Sequence, residues 1–122
     1  MSALPKSEAP AVDRADHRRQ HRRRVLLSGR LVHSISEMTV DCTIQDVSST
    51  GARLRLPEAT LLSEPLFLID LTHGLAFKTR VAWRKENRAG LAFIQYFDLS
   101  QADGPAPKRL RRLWLDYTRT GA

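Results

Sequence analysis

Two short runs of this 122-residue chain carry side chains able to grip an anion. The first is His17-Arg18-Arg19-Gln20-His21-Arg22-Arg23-Arg24. Guanidinium groups are planar and permanently charged. They bind phosphate through paired hydrogen bonds, stack on rings and bond bidentately to the O6 and N7 edge of guanine. The second run is Asp46-Val47-Ser48-Ser49-Thr50-Gly51. Asp46 and Ser48 are turn formers whose side-chain oxygens bond nearby backbone donors, and Gly51 can take a left-handed conformation. A plain turn between strands accounts for that run, just as a solvated basic arm accounts for the first. The sharper alternative has the turn present Asp46 and Ser48 to a ligand. The carboxylate would accept from the N–H edge of a guanine and the hydroxyl would support a phosphate or a base.

The charge of the whole chain points the same way. Twenty Lys and Arg against 13 Asp and Glu leave a net charge of +7, which attracts nucleic acid, nucleotides and anionic surfaces from a distance. The excess is clustered: Arg14, Arg18, Arg19, Arg22, Arg23, Arg24 and Arg30 lie towards one end, Lys108, Arg109, Arg111, Arg112 and Arg119 towards the other. Other chemistry has little support. His17, His21, His33 and His73 show no metal-ligand spacing within an ordered element, and no nucleophile motif or glycine-rich phosphate loop occurs, so the chain reads as a non-enzyme without metal or cofactor. Cys42 is the only cysteine, which rules out an intrachain disulfide and fits a small buried hydrophobe. With no apolar leader and no run long enough to cross a bilayer, the expected location is the cytoplasm.

Residues 1–16 are rich in Ala, Pro and charge without apolar periodicity and read as a disordered lead-in, followed by an arginine arm over 17–24. Strand texture runs from 25 to 97. Val25 to Val32 is apolar and β-branched; Val40, Cys42 and Ile44 share one face of Thr39 to Val47; Ala52, Leu54 and Leu56 alternate with Arg53 and Arg55. Leu66 to Leu71 is a further run, ended by a tight turn at His73-Gly74. Phe77, Val81 and Trp83 then face one way, Lys85 to Arg88 reads as a hairpin loop, and Leu91 to Phe97 as the return strand. Leu110, Leu113, Trp114 and Tyr117 fall on one stripe of a helix over about 107–118, expected to pack on an open end of the sheet structure. The expectation is a mainly all-β single domain, a small six-stranded antiparallel barrel or sandwich in meander-like order, with one C-terminal helix.

Together the two runs resemble the signature of the PilZ domain family, which binds the bacterial messenger cyclic di-GMP. Its R-x-x-x-R motif before the first strand is matched by Arg18 to Arg22, and its D/N-x-S-x-x-G motif after the second by Asp46 to Gly51. The resemblance continues through Val81-Ala82-Trp83-Arg84 and Gly90-Leu91-Ala92-Phe93, covering residues 17–97. It implies a six-stranded β-barrel with a C-terminal helix, and a downstream protein partner whose identity the residues do not give. It also implies roles: Arg18 and Arg22 hold guanine edges and phosphates, Asp46 and Ser48 contact a guanine, and Gly51 lets the backbone turn beside it. Arg19 and Arg23 have the same spacing as Arg18 and Arg22; the distance to Val25 and Leu27 favours the latter pair. Two other readings stand beside it, a basic barrel that binds nucleic acid and a ligand-independent adaptor that binds protein through its basic helix. Against the nucleic-acid reading, Trp83, Phe77 and Phe93 all fall on core parity, which leaves few exposed rings for stacking bases.

Overall fold

A computed structural model describes residues 23–101 and 103–120. Its strands are β1 (Arg23–His33), β2 (Thr39–Val47), β3 (Gly51–Arg55), β4 (Leu66–Asp70), β5 (Leu75–Lys85) and β6 (Arg88–Asp98), and its helix is α1 (Lys108–Thr120). The strands close into a barrel in the order β1-β2-β3-β6-β5-β4, with every neighbouring pair antiparallel. Closure is made through the short β4, which pairs with Gly29–His33 of β1 and Leu75–Thr79 of β5 while both longer strands run on past it. The mainly β fold expected from the alternating pattern is present. The order departs from a meander at one place: after β3 the chain crosses over residues 56–65 before entering β4, so β3 pairs with β6. Arg84 pins that crossing, its guanidinium donating to the carbonyls of Thr60 at 2.6 Å and Glu58 at 3.1 Å as well as to Glu86 in its own hairpin.

Successive strand residues point to opposite faces, and here both faces of one wall are apolar. Leu31, Ile44, Leu54, Leu68 and Leu91 fill the barrel interior. Their neighbours Val32 and Ile69, with Ala76, belong to a second cluster outside it, under Leu110, Leu113, Trp114 and Tyr117 of α1. The helix therefore covers the outer face of the wall rather than an open end, because Val32, Phe67 and Ile69 offer the larger apolar surface there. Trp114 fixes the contact: its Nε1 donates to the carbonyl of Leu71 at 3.1 Å, and its ring lies against Gly74 in the β4–β5 turn. Gly74 has φ 69° and a Cβ there would stand 2.7 Å from the ring, so both backbone and packing require glycine.

Two further expectations change. The strands β5 and β6 run on to Lys85 and from Arg88, which shortens the hairpin loop to Glu86 and Asn87, with Glu86 at φ 50°. Trp83 is 43% exposed although Phe77 and Val81 pack on the interior. Val81 pairs with Leu91 and Trp83 with Gly90, so Ala82 is an extra residue, and this bulge turns Trp83 onto the outside.

Cys42 is buried within the interior cluster, and burial, reinforced by the Asp41 charge and opposed by Arg30, pushes its thiol up to about 12. The thiol should therefore resist a disulfide reagent at pH 8 in the folded protein and react fully in denaturant. An unfolded thiol ionises near the ordinary 9. The native state thus holds its proton longer, and stability should decline as pH rises from about 9 towards about 12. Rapid labelling under native conditions would contradict this placement.

Candidate functional site

The position of Asp46 depends on an irregularity in β2. Strict alternation from Val40, Cys42 and Ile44 would send Asp46 into the interior, where a carboxylate has no place. Instead Ile44 pairs with Leu54 and Asp46 with Arg53, leaving Gln45 as an extra residue against β3. The bulge lets both Ile44 and Val47 face inward. Asp46 is turned outward beside Arg53, whose neighbours Ala52 and Leu54 belong to the interior. The Arg53 guanidinium donates from Nη2 to Asp46 Oδ2 at 2.5 Å. The carboxylate is 4% exposed and the guanidinium 40%, so arginine roofs aspartate.

Directly opposed residues share a face, which extends this pair into a row across five strands. Arg24 of β1 opposes Asp46, Asp46 opposes Arg53, Arg53 opposes Gly90 and Gly90 opposes Trp83. Gly90 has no side chain because the indole lies over it: a Cβ there would be 2.1 Å from Trp83 Nε1. The outer wall thus offers a buried carboxylate, a part-exposed guanidinium and a part-exposed indole in sequence. A planar base with an N–H edge and a nearby phosphate matches that set, since each donor, acceptor and ring face has a counterpart.

The remaining sequence-predicted residues divide. Ser48 belongs to the turn itself: its Oγ accepts from the Thr50 N–H at 3.2 Å and lies 3.3 Å from the Thr50 hydroxyl, while its N–H donates to the Gly51 carbonyl at 2.9 Å. Gly51 is not in a left-handed conformation, contrary to the expectation from its turn position; among the described residues Gly74 is the glycine with positive φ. Its requirement is close approach, because a Cβ would sit 2.3 Å from the Leu91 carbonyl oxygen of β6. Phe93 N–H then donates to the Thr50 carbonyl at 2.8 Å, tying the turn to β6. Arg23 opens β1 opposite Val47, while Arg18, Arg19 and Arg22 lie outside the described residues.

Sequence reasoning missed Arg53 as the partner of Asp46, and Trp83 as a surface ring. Arg53 carried a signal: it has outward parity in a strand that follows the Asp46 turn by one hairpin. Trp83 carried none, because a one-residue bulge is invisible in a period-2 pattern.

The sequence model of the PilZ domain matches residues 16–112, four-fifths of the chain. The chain belongs to the PilZ domain family. The match takes in the arginine run, all six strands of this PilZ domain and the first turn of α1. No curated protein matches the chain. No described helix of the PilZ domain is long and apolar enough to cross a membrane.

Proposed function

We propose that this PilZ domain is a non-enzymatic receptor for cyclic di-GMP, which binds on the outer wall that carries Asp46. The single observation behind the proposal is the pairing of Arg24 with Asp46 and of Arg23 with Val47. Whatever its path, the segment that carries Arg18, Arg19 and Arg22 must join the barrel beside the carboxylate. Its arginines supply the phosphate contacts and the O6/N7 edge of guanine, with Arg18 and Arg22 as the preferred pair now that Arg23 is the first residue of a strand. The part-exposed Arg53 guanidinium swings aside from Asp46, which then accepts from the guanine N–H edge, and Trp83 gives the base a surface to stack on. Ser48 and Gly51 act through the turn, holding β3 against β6. Binding draws the arginine segment onto the wall, and a partner protein reads the resulting surface.

Tryptophan emission tests this reading, with Trp83→Phe removing the reporter on the wall and leaving Trp114. Cyclic di-GMP should shift wild-type emission saturably at physiological salt, whereas cyclic di-AMP, GTP and single-stranded DNA should do so only at far higher concentration. Arg18→Ala and Arg22→Ala should each remove the response while leaving thermal stability nearly unchanged. The exposed Trp83 and Tyr96 reopen the question of stacked single strands. A DNA response that exceeds the nucleotide response and falls steeply with salt would replace this reading with that one.

A further inference from the structure

A groove of about 370 Å³ runs along the side of α1 that faces away from the barrel. Lys108, Arg111, Arg112, Leu115 and Arg119 line it, a stripe at helical spacing, with Gln101, Gly104 and Ala106 of the preceding loop closing one side. Four of these residues are cations and none is an acid. The stripe spans twelve residues from Lys108 to Arg119, about 16 Å of helix and the length of about five residues of extended chain.

The charge is placed against the interests of the helix. Lys108, Arg109, Arg111 and Arg112 crowd its first five positions, and its first turn has no acidic residue. Cations at a helix N-terminus oppose the macrodipole, and Pro107 before it has no side-chain acceptor with which to cap the free N–H groups. Part of the cluster is not spent on internal partners either: the Nε of Arg111 is buried without a hydrogen-bond partner among the described residues. Arg109, at the side of the stripe, is occupied by Glu37, whose carbonyl accepts from Nη2 at 2.8 Å.

We infer that this groove docks an extended acidic segment of a partner protein. Three features select that occupant. The long axis suits an extended chain rather than a compact phosphate. Leu115 and Ala106 interrupt the cationic lining and give an apolar side chain of the segment a place between its carboxylates. At the far end a carboxylate already pairs with the lining, Asp116 Oδ1 lying 3.3 Å from Arg119 Nη2. A flat bilayer surface would meet a recessed groove poorly, and a nucleic acid would leave the apolar floor without a counterpart. α1 packs against Val32, Phe67, Ile69, Ala76 and Phe97, whereas the row of Arg24, Asp46, Arg53, Gly90 and Trp83 crosses β1, β5 and β6 near their opposite ends. The inference is thus independent of the ligand proposed for that row.

The test is fluorescence anisotropy of a labelled ten-residue Glu/Asp peptide with one central leucine, titrated with the full chain at physiological salt. Arg112→Glu/Arg119→Glu changes two exposed positions of the stripe and should weaken binding at least tenfold with the melting temperature unchanged. Leu115→Ser should weaken the leucine peptide but not a serine-substituted version of it. Arg18→Ala/Arg22→Ala should leave peptide binding intact. The inference is overturned if the stripe variant binds as tightly as wild type or if the arm variant is the one that loses the peptide. Tighter binding of a ten-nucleotide oligothymidylate, or of phosphatidylserine vesicles, that is lost in the same stripe variant would overturn it equally.

Discussion

Replacing Asp46 with alanine is expected to abolish calorimetrically detectable cyclic di-GMP binding and to lower barrel stability by about 1–3 kcal/mol. The two effects have separate origins. Binding fails because the guanine N–H edge loses its acceptor. Stability falls because Arg53 loses the carboxylate it roofs, and its Nε is already buried without a partner among the described residues. The loss stays below that of a fully buried ion pair, since a guanidinium 40% exposed can rehydrate. Asp46→Asn separates the two readouts. Its carbonyl still accepts from Arg53, so most stability returns, but its amide turns a donor towards the donor edge of guanine and binding stays absent. An Asp46→Ala/Arg53→Ala double variant should be destabilised by less than the sum of the single changes, as contacting partners require. Additive costs would show that the pair seen across β2 and β3 contributes nothing to the fold.

Gly51→Ala should be the most damaging conservative change on this wall, costing about 2–4 kcal/mol. The added methyl would meet a backbone carbonyl, Leu91 O at 2.3 Å, which no rotamer change can clear. β3 and β6 must separate locally, straining the Phe93 to Thr50 hydrogen bond and the Arg53–Gly90 pairing that aligns the row of site residues. Gly90→Ala is the informative comparison. The atoms nearest its methyl belong to the Trp83 indole, a side chain 43% exposed that can swing into solvent. Gly90→Ala should cost less stability than Gly51→Ala, with a red-shifted tryptophan emission as the ring moves out. Denaturant melts of the two variants check the order, and equal midpoints would mean that β3 and β6 are not held as closely as described.

Much of this architecture is legible in the amino-acid pattern. The alternation of Ala52, Leu54 and Leu56 with arginines, and the helical stripe Leu110, Leu113, Trp114 and Tyr117, are local signals with one dominant physical cause, burial of one face. Glycine punctuation at His73-Gly74 located a turn because positive φ is a local demand. What escaped were features set by non-local pairing. The adjacency of β3 and β6 depends on barrel closure and has no signature along the chain. The bulges at Gln45 and Ala82 reverse parity, and they are what carry Asp46 and Trp83 to the outer wall. Gly51 illustrates the mixed case: the turn pattern points to a glycine free to take a left-handed conformation, but what requires glycine is the Leu91 carbonyl of a distant strand rather than its own φ. The site was therefore visible as two motifs, and its shape only once the strands were paired.

Amide hydrogen exchange read by mass spectrometry, with and without saturating cyclic di-GMP, bears most directly on whether the arginine run and the carboxylate wall serve one ligand. Slowed exchange in both residues 14–24 and residues 45–53 is the predicted result, with both effects lost together in Arg22→Ala and in Asp46→Ala. Protection confined to one of the two segments, or absent from both, would contradict the account.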